Sequence, residues 1–397
     1  MVPRVKLHRT LAEGCGRILL DVFEGGQVLD RVLDQVFREN PKWGKRDRSF
    51  VAETVFEVVR WRRALGFVAG SDTLESLCAA QWNRAGLEIP DWWEWPGAAR
   101  EEMTAREELL GSEPRAIHES IPEWLDQRGV AELGAAWDAE ITALNRRAPV
   151  FLRVNRLRLS PTDALQWLEE NGVQASLVPG APDALVLPEG KSLPKPLAAE
   201  GLVEIQDAGS QAIAPLLEVE PGMRVIDACA GAGGKTLHLA ALMQSRGEIV
   251  AMDISAAKLS ELRRRAVRAG TRIIRTETWR TDTLQRYAGW ADRVLIDAPC
   301  SGLGTLRRQP DLKWRLTQAT LEKTKRLQRR LLDHYTGLLK PGGKFVYATC
   351  SVLPSENEGQ LALLEERDGR FKIEAELKVS PAATGWDGFY AARLTGV

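Results

Sequence analysis

The chain has 397 residues, is 44% hydrophobic and 27% charged, and balances 54 basic against 54 acidic side chains. That composition excludes wholesale disorder, and the length calls for two or three domains. Five widely spaced cysteines and four scattered histidines argue for a reducing, cytoplasmic setting and against a bound metal, and no apolar run has membrane-spanning length or the form of a signal peptide.

The neutral total conceals segregation. Residues 1–65 carry 13 basic and 9 acidic side chains, whereas residues 66–140 carry 5 and 16. A nucleic-acid partner responds to such local distribution rather than to the total. Val28, Leu29, Val32, Leu33, Val36 and Phe37 recur at helical spacing, as do Phe50, Val51, Val55, Val58 and Val59. They predict two helices joined by the basic loop 40–48. That loop, with Arg60, Arg62 and Arg63 beyond it, is either a solvated face or a surface that tracks phosphates. Six of the thirteen tryptophans, Trp92, Trp93 and Trp95 among them, fall in the acidic segment and are expected to pack as core of a helical extension. Residues 1–140 therefore read as a helical domain.

From 141 to 205 short β-rich runs such as Val150–Val154 alternate with a helical stretch and Pro/Gly turns, a small α+β module. From 206 to 397 apolar strands, glycine turns and amphipathic helices alternate, as in a Rossmann-like, mainly parallel doubly wound sheet.

Met223–Cys229 is a buried-strand pattern running into Ala230-Gly231-Ala232-Gly233-Gly234-Lys235-Thr236 and then a helix. Strand, small-residue turn and helix N-terminus make a nucleotide-binding element, because glycines admit close backbone approach and free N–H groups face the ligand. A Walker loop would need glycine where Cys229 stands, and a dinucleotide fingerprint would need glycine or alanine at Thr236. S-adenosylmethionine fits better, with Asp253 at the end of the next strand placed to hold a ribose diol. Asp282, in the third βα unit, is placed to accept from an adenine amino group, and Asp297 ends the fourth strand.

Cys300 leaves that fourth strand in Asp297-Ala298-Pro299-Cys300-Ser301-Gly302, and Cys350 leaves the fifth in Tyr347-Ala348-Thr349-Cys350-Ser351. Both thiols should emerge on the edge that carries the glycine loop. Methyl transfer to nitrogen or oxygen needs positioning and a base. Carbon 5 of a pyrimidine is a poor nucleophile until a thiolate adds at carbon 6, after which a base removes the carbon-5 proton and the thiolate leaves. The target base must leave its stack to be attacked on its face.

These motifs, with Glu356-Asn357-Glu358, Arg307–Arg315 and Trp386–Leu394, resemble the Sun/RsmB family of RNA cytosine carbon-5 methyltransferases. Upstream, Leu144–Pro149, Arg153-Val154-Asn155 and Gln206–Gln211 resemble the family's pre-catalytic RNA-binding module, and Asp47–Glu53 resembles the NusB-like RNA-binding fold. The resemblance implies that Cys350 attacks the base and Cys300 aids product release. Chemistry alone does not choose between the thiols. It further implies catalytic roles for Lys235 and Asp297, and S-adenosylmethionine held by Cys229, Ala230, Gly231, Ala232, Gly233, Gly234, Lys235, Asp253, Asp282 and Asp297. Family relatives commonly have Ala-Pro-Gly-Gly-Lys where this chain has Gly231–Lys235, a departure expected to alter loop stiffness.

The expected partner is RNA, ribosomal rather than transfer, with no DNA or membrane partner and a monomer as the default. Two alternatives stand beside this: the same chemistry on transfer RNA, and a non-catalytic RNA-binding assembly factor. The joint presence of Cys300, Cys350, Lys235 and Asp297 counts against the second, and Cys229 disfavours a P-loop ATPase.

Overall fold

The computed structural model describes residues 7–280 and 282–396. They divide into two compact units, one running to Asn145 and including Leu306–Gln318, the other formed by Arg146–Thr305 and Ala319–Val397.

The first unit is all-helical, with helices at Arg9–Phe23, Leu29–Glu39, Lys45–Arg60, Arg62–Ala69, Leu74–Arg84 and Arg100–Leu109 and shorter ones up to Leu144. The apolar positions that predicted the early helices face inward: Leu29, Val32, Val36, Val51, Val55, Val58 and Val59 join one core. The tryptophan-rich segment extends that core. Trp82 is fully buried, stacks on Phe50 at 6.3 Å and meets Trp93 edge-on at 5.0 Å. Each buried indole finds an acceptor, Thr54 Oγ1 for Trp82 (3.2 Å) and the Asp126 carboxylate for Trp137 (2.8 Å).

Residues 306–318 lie in the middle of the predicted methyltransferase domain, yet they pack among these helices. Trp314 donates to the Val59 carbonyl at 2.6 Å, and Arg307 to that of Ala143 at 3.0 Å. Lys313 is fully buried and donates to the Arg60 carbonyl (2.6 Å) and Asn145 Oδ1 (3.1 Å). Burial and the neighbouring Arg60 charge push its ammonium well below the usual lysine range. Asp311 accepts from the Leu29 N–H at 3.3 Å, placing a carboxylate at the start of that helix, where it also complements the dipole.

The same packing engages the arginines beyond the basic loop. Arg60 is buried and donates to the Arg307 carbonyl, Arg62 lies over the Phe23 ring at 4.2 Å, and Arg63 donates to the Ile121 carbonyl at 2.8 Å. These three cations brace the helices; of the cations in 40–48, Lys42 and, in the first turn of the helix Lys45–Arg60, Lys45 and Arg46 are exposed.

The second unit holds two sheets. Strands β1 (Phe151–Val154), β2 (Ser176–Val178), β3 (Ala181–Val186) and β4 (Val203–Ile205) form an antiparallel sheet in the order β2-β3-β1-β4. The helix Pro161–Glu170 begins with a reciprocal cap: the Ser160 hydroxyl accepts from Asp163 N at 3.1 Å, and the Asp163 carboxylate accepts from Ser160 N at 3.3 Å. Several motif residues of this module turn inward within the unit. Asn155 donates to the carbonyls of Gly201 (2.8 Å) and Ala269 (2.9 Å), and Glu204 pairs with Arg265 and Arg268, each at 2.9 Å.

The larger sheet contains β5 (Arg224–Asp227), β6 (Glu248–Asp253), β7 (Ile274–Thr278), β8 (Ala291–Asp297), β9 (Leu339–Thr349), β10 (Phe371–Val379) and β11 (Phe389–Gly396) in the order β10-β11-β9-β8-β5-β6-β7. β5 to β9 pair in parallel, and β10 and β11 close one edge antiparallel. The central strands are continuous apolar runs such as Val250–Met252 and Val294–Ile296, as burial on both faces requires. The chain winds from β5 toward β7 on one side and through β8 and β9 on the other, so strand order reverses at β5. The carboxyl ends of β5 and β8 flank the crevice made at that reversal.

Candidate active site

β5 ends at Asp227, and Ala228–Gly233 turn the chain into the helix Gly234–Leu242. Two bonds tie this loop to β6: Ala230 N–H donates to the Met252 carbonyl and Gly231 N–H to the Asp253 carboxylate, both at 2.9 Å. Asp253 also accepts from Ser255 N at 2.7 Å, so one carboxylate braces its own turn and the glycine loop. Gly233 starts the helix at φ +87°, and a Cβ there would lie 2.0 Å from Leu262 Cδ1. Only glycine satisfies both demands. Gly231, at φ +56°, faces open space.

Asp227 is buried. The Thr236 hydroxyl donates to one of its oxygens at 2.7 Å, and the other has no partner among the described residues. Burial drives its carboxyl up to about 7, and Asp297 and Asp253 add to the rise despite the Thr236 bond. The sign follows from proton uptake. Below the usual aspartate value of about 4 the group is neutral folded or unfolded, and as pH climbs to about 7 only the unfolded chain releases the proton, so stability falls. Asp227→Asn is expected to flatten that part of the curve, which thermal melts of both proteins between pH 5 and pH 8 check.

Behind the loop, Lys235 Nζ sits 2.8 Å from the Asp297 carboxylate and 5.3 Å from the Phe389 ring centre. Burial lowers the ammonium, but Asp297 outweighs it with help from Cys350, and the net effect is upward. Cys300 and Cys350 leave the adjacent strands β8 and β9 with their sulfurs 3.3 Å apart. The hydrogen bond to Cys350, with burial behind it, holds the Cys300 thiol well above its usual range. Burial likewise raises Cys229, next to Asp227.

Lys235, Asp297, Cys300 and Cys350 are thus brought together, and Cys229 to Gly234 with Asp253 line the loop beside them. Asp282 lies beyond the end of β7. It precedes the short helix Thr283–Arg286, and its exposed carboxylate pairs with Arg286 at 2.8 Å. Glu356 was visible only as part of a motif. It is fully buried, and the serines that follow the two cysteines, Ser301 and Ser351, both donate to it. The signal that could have revealed it is the repetition of Cys-Ser-x-Leu at 300–303 and 350–353.

A strand order reversing at a glycine loop, with a carboxylate closing the next strand, is the fold of Rossmann-like methyltransferases. Residues 214–395 match the family model described as 16S rRNA methyltransferase RsmB/F, and residues 121–193 match the RsmF/B-like ferredoxin-like domain. The ribosomal RNA small subunit methyltransferase B of Cronobacter sakazakii is 35% identical over 321 residues, covering 75% of this chain and 72% of that protein. Its namesake from Shewanella oneidensis is 33% identical over 300 residues, covering 72% and 69%. A methyltransferase homolog protein from Pyrococcus horikoshii has a solved structure that is 27% identical, with a TM-score of 0.62 over 71% of this chain and 98% of its own. The crystal structure of PH0851 shares the fold over 98% of this chain and 99% of that one, with a TM-score of 0.79 at 22% identity. The chain belongs to the RsmB/F family of methyltransferases.

Proposed function

We propose that the protein methylates carbon 5 of a cytosine in small-subunit ribosomal RNA, with S-adenosylmethionine as donor and a covalent Cys350–base adduct as intermediate. The observation that carries this reading is the pair of thiols 3.3 Å apart beside the Lys235–Asp297 ion pair. Methylation of a nitrogen or an oxygen needs no thiol at all.

The cofactor's place fits the residues present: a glycine open to approach at Gly231, Asp253 fixed against the loop, and an unpartnered oxygen on Asp227. Residues 229–235 with Asp253, Asp282 and Asp297 would hold it, and when bound it supplies an electrophilic methyl group. The chain's own residues prepare the base. Cys350, its sulfur 3.3 Å from that of Cys300, adds at carbon 6 as a thiolate, and the pair of electrons displaced from the ring double bond makes carbon 5 nucleophilic. As the thiolate adds, Asp297, placed by Lys235, delivers a proton to ring nitrogen 3, so the charge pushed into the ring is neutralised there. A base then takes the carbon-5 proton, the electrons of that C–H bond restore the ring double bond, and Cys350 leaves carbon 6 as a thiolate, with Cys300 assisting release.

Incubation with methyl-labelled S-adenosylmethionine is expected to label unmodified 16S ribosomal RNA and leave transfer RNA unlabelled. Label confined to transfer RNA would overturn the substrate and leave the chemistry standing.

The helix Gln318–Thr336 supplies a surface for the RNA backbone. Lys323, Arg326, Arg329 and Arg330 line one shallow groove along it, and no carboxylate is paired with them among the described residues. Unneutralised cations in a row suit phosphates. Arg326→Ala with Arg330→Ala is expected to raise the RNA Kd about tenfold at low salt and to flatten its salt dependence, leaving S-adenosylmethionine affinity unchanged. Filter binding across a salt series measures both quantities.

A further inference from the structure

The two cysteine loops are built alike. In each, the serine after the cysteine accepts from the N–H of the leucine two residues on, Leu303 to Ser301 Oγ at 3.4 Å and Leu353 to Ser351 Oγ at 3.1 Å. Both serine hydroxyls then donate to the same oxygen of Glu356, Ser351 at 2.5 Å. The other Glu356 oxygen accepts from the Ser301 N–H at 2.8 Å and from Gln328 Nε2 at 3.1 Å. Its backbone is held as well, the carbonyl accepting from Tyr347 OH at 2.7 Å. No cation is paired with this buried carboxylate among the described residues. Four donors satisfy it instead, and two of those hydroxyls belong to the neighbours of the two thiols.

A carboxylate buried at such cost is a poor way to gain stability, since an apolar filling would do as well. It is a good way to hold two loops in one register, because each oxygen accepts from two directions and a shift of either loop breaks a bond in a dry interior. We infer that Glu356 is the positioning residue that sets the Cys300–Cys350 separation, fixing both sulfurs to one anchor so that the thiol aiding release stays within reach of the thiol that attacks. The inference rests on the proposed two-cysteine chemistry for its catalytic meaning. The anchoring itself is independent of that chemistry.

The test measures sulfur proximity and turnover separately. Diamide, an azo oxidant, takes two electrons and two protons from a thiol pair, leaving one disulfide and the reduced hydrazine. The wild-type pair is expected to cross-link within the chain, and Glu356→Ala to cross-link about tenfold more slowly, read by peptide mass spectrometry. The same variant should lose about tenfold to a hundredfold in kcat with the RNA KM and S-adenosylmethionine Kd within about twofold of wild type. Glu356→Gln keeps one accepting oxygen and should recover part of both losses. It also carries the test should the alanine variant not fold.

Cross-linking at the wild-type rate in a folded variant would overturn the inference, as would a wild-type pair that never cross-links. A loss of kcat matched by an equal loss of cofactor affinity would do the same, since general loosening moves both. Slowed cross-linking in a protein that methylates no RNA would uphold the anchor and reject the proposed function.

Discussion

Cys350→Ala is expected to lower RNA methylation by at least about a thousandfold while S-adenosylmethionine binds nearly as tightly as before. The split follows from placement. Cys350 ends β9, whereas the loop that would hold the cofactor follows β5 and is braced by Asp253, and none of its bonds involves the thiol. Without a sulfur to add at carbon 6, carbon 5 stays inside its conjugated ring, and positioning alone cannot make it attack. Single-turnover kinetics and isothermal titration with the cofactor separate the two quantities. Turnover within tenfold of wild type would remove Cys350 as the nucleophile, and Cys300→Ala would then be the variant to show the loss.

The second large effect is expected from Cys300→Ala, in the form of a trapped complex rather than a silent enzyme. In the free protein the hydrogen bond with Cys350, with burial behind it, holds the Cys300 thiol well above its usual range, so Cys300 keeps its proton. Once Cys350 is bonded to the base, Cys300, 3.3 Å from that sulfur in the free protein, is the nearest thiol to the adduct. Its removal leaves adduct formation intact and slows release. A protein–RNA band that survives denaturation is expected with S-adenosylmethionine and RNA together, and it should vanish in the double variant with Cys350→Ala. Full activity with no such band would reject the release role.

Much of this arrangement was legible because the relevant signals are local. The Val32/Val36 and Val55/Val59 stripes encode helices within a few turns, and the Rossmann-like unit announces itself as apolar runs ending in Asp227, Asp253 and Asp297. A parallel sheet projects its strand ends to one edge, so Asp227, Asp253 and Asp297, distant in sequence, arrive together for topological reasons.

What could not be read depends on contacts across long stretches of chain. Lys313 and Arg60 look like surface residues by type, and only the packing of 306–318 among helices some 250 residues earlier buries them. Asp282 carries a feature no strand pattern shows: its exposed carboxylate pairs with a neighbour four residues on, Arg286. Glu356 lay in view as one of two acids flanking Asn357, and nothing local distinguishes the buried one from Glu358, which pairs with Lys378 at 2.8 Å. The serine pair that gives Glu356 its place comes from two strands at once.

The central claim is that the methyl group goes to carbon 5 of cytosine, and digestion of the product RNA to nucleosides followed by mass spectrometry tests it most directly. The account predicts that label from S-adenosylmethionine appears as 5-methylcytidine from 16S ribosomal RNA, and that Cys350→Ala produces none. Label in a ribose-methylated or nitrogen-methylated nucleoside, at a rate indifferent to Cys350, would contradict it.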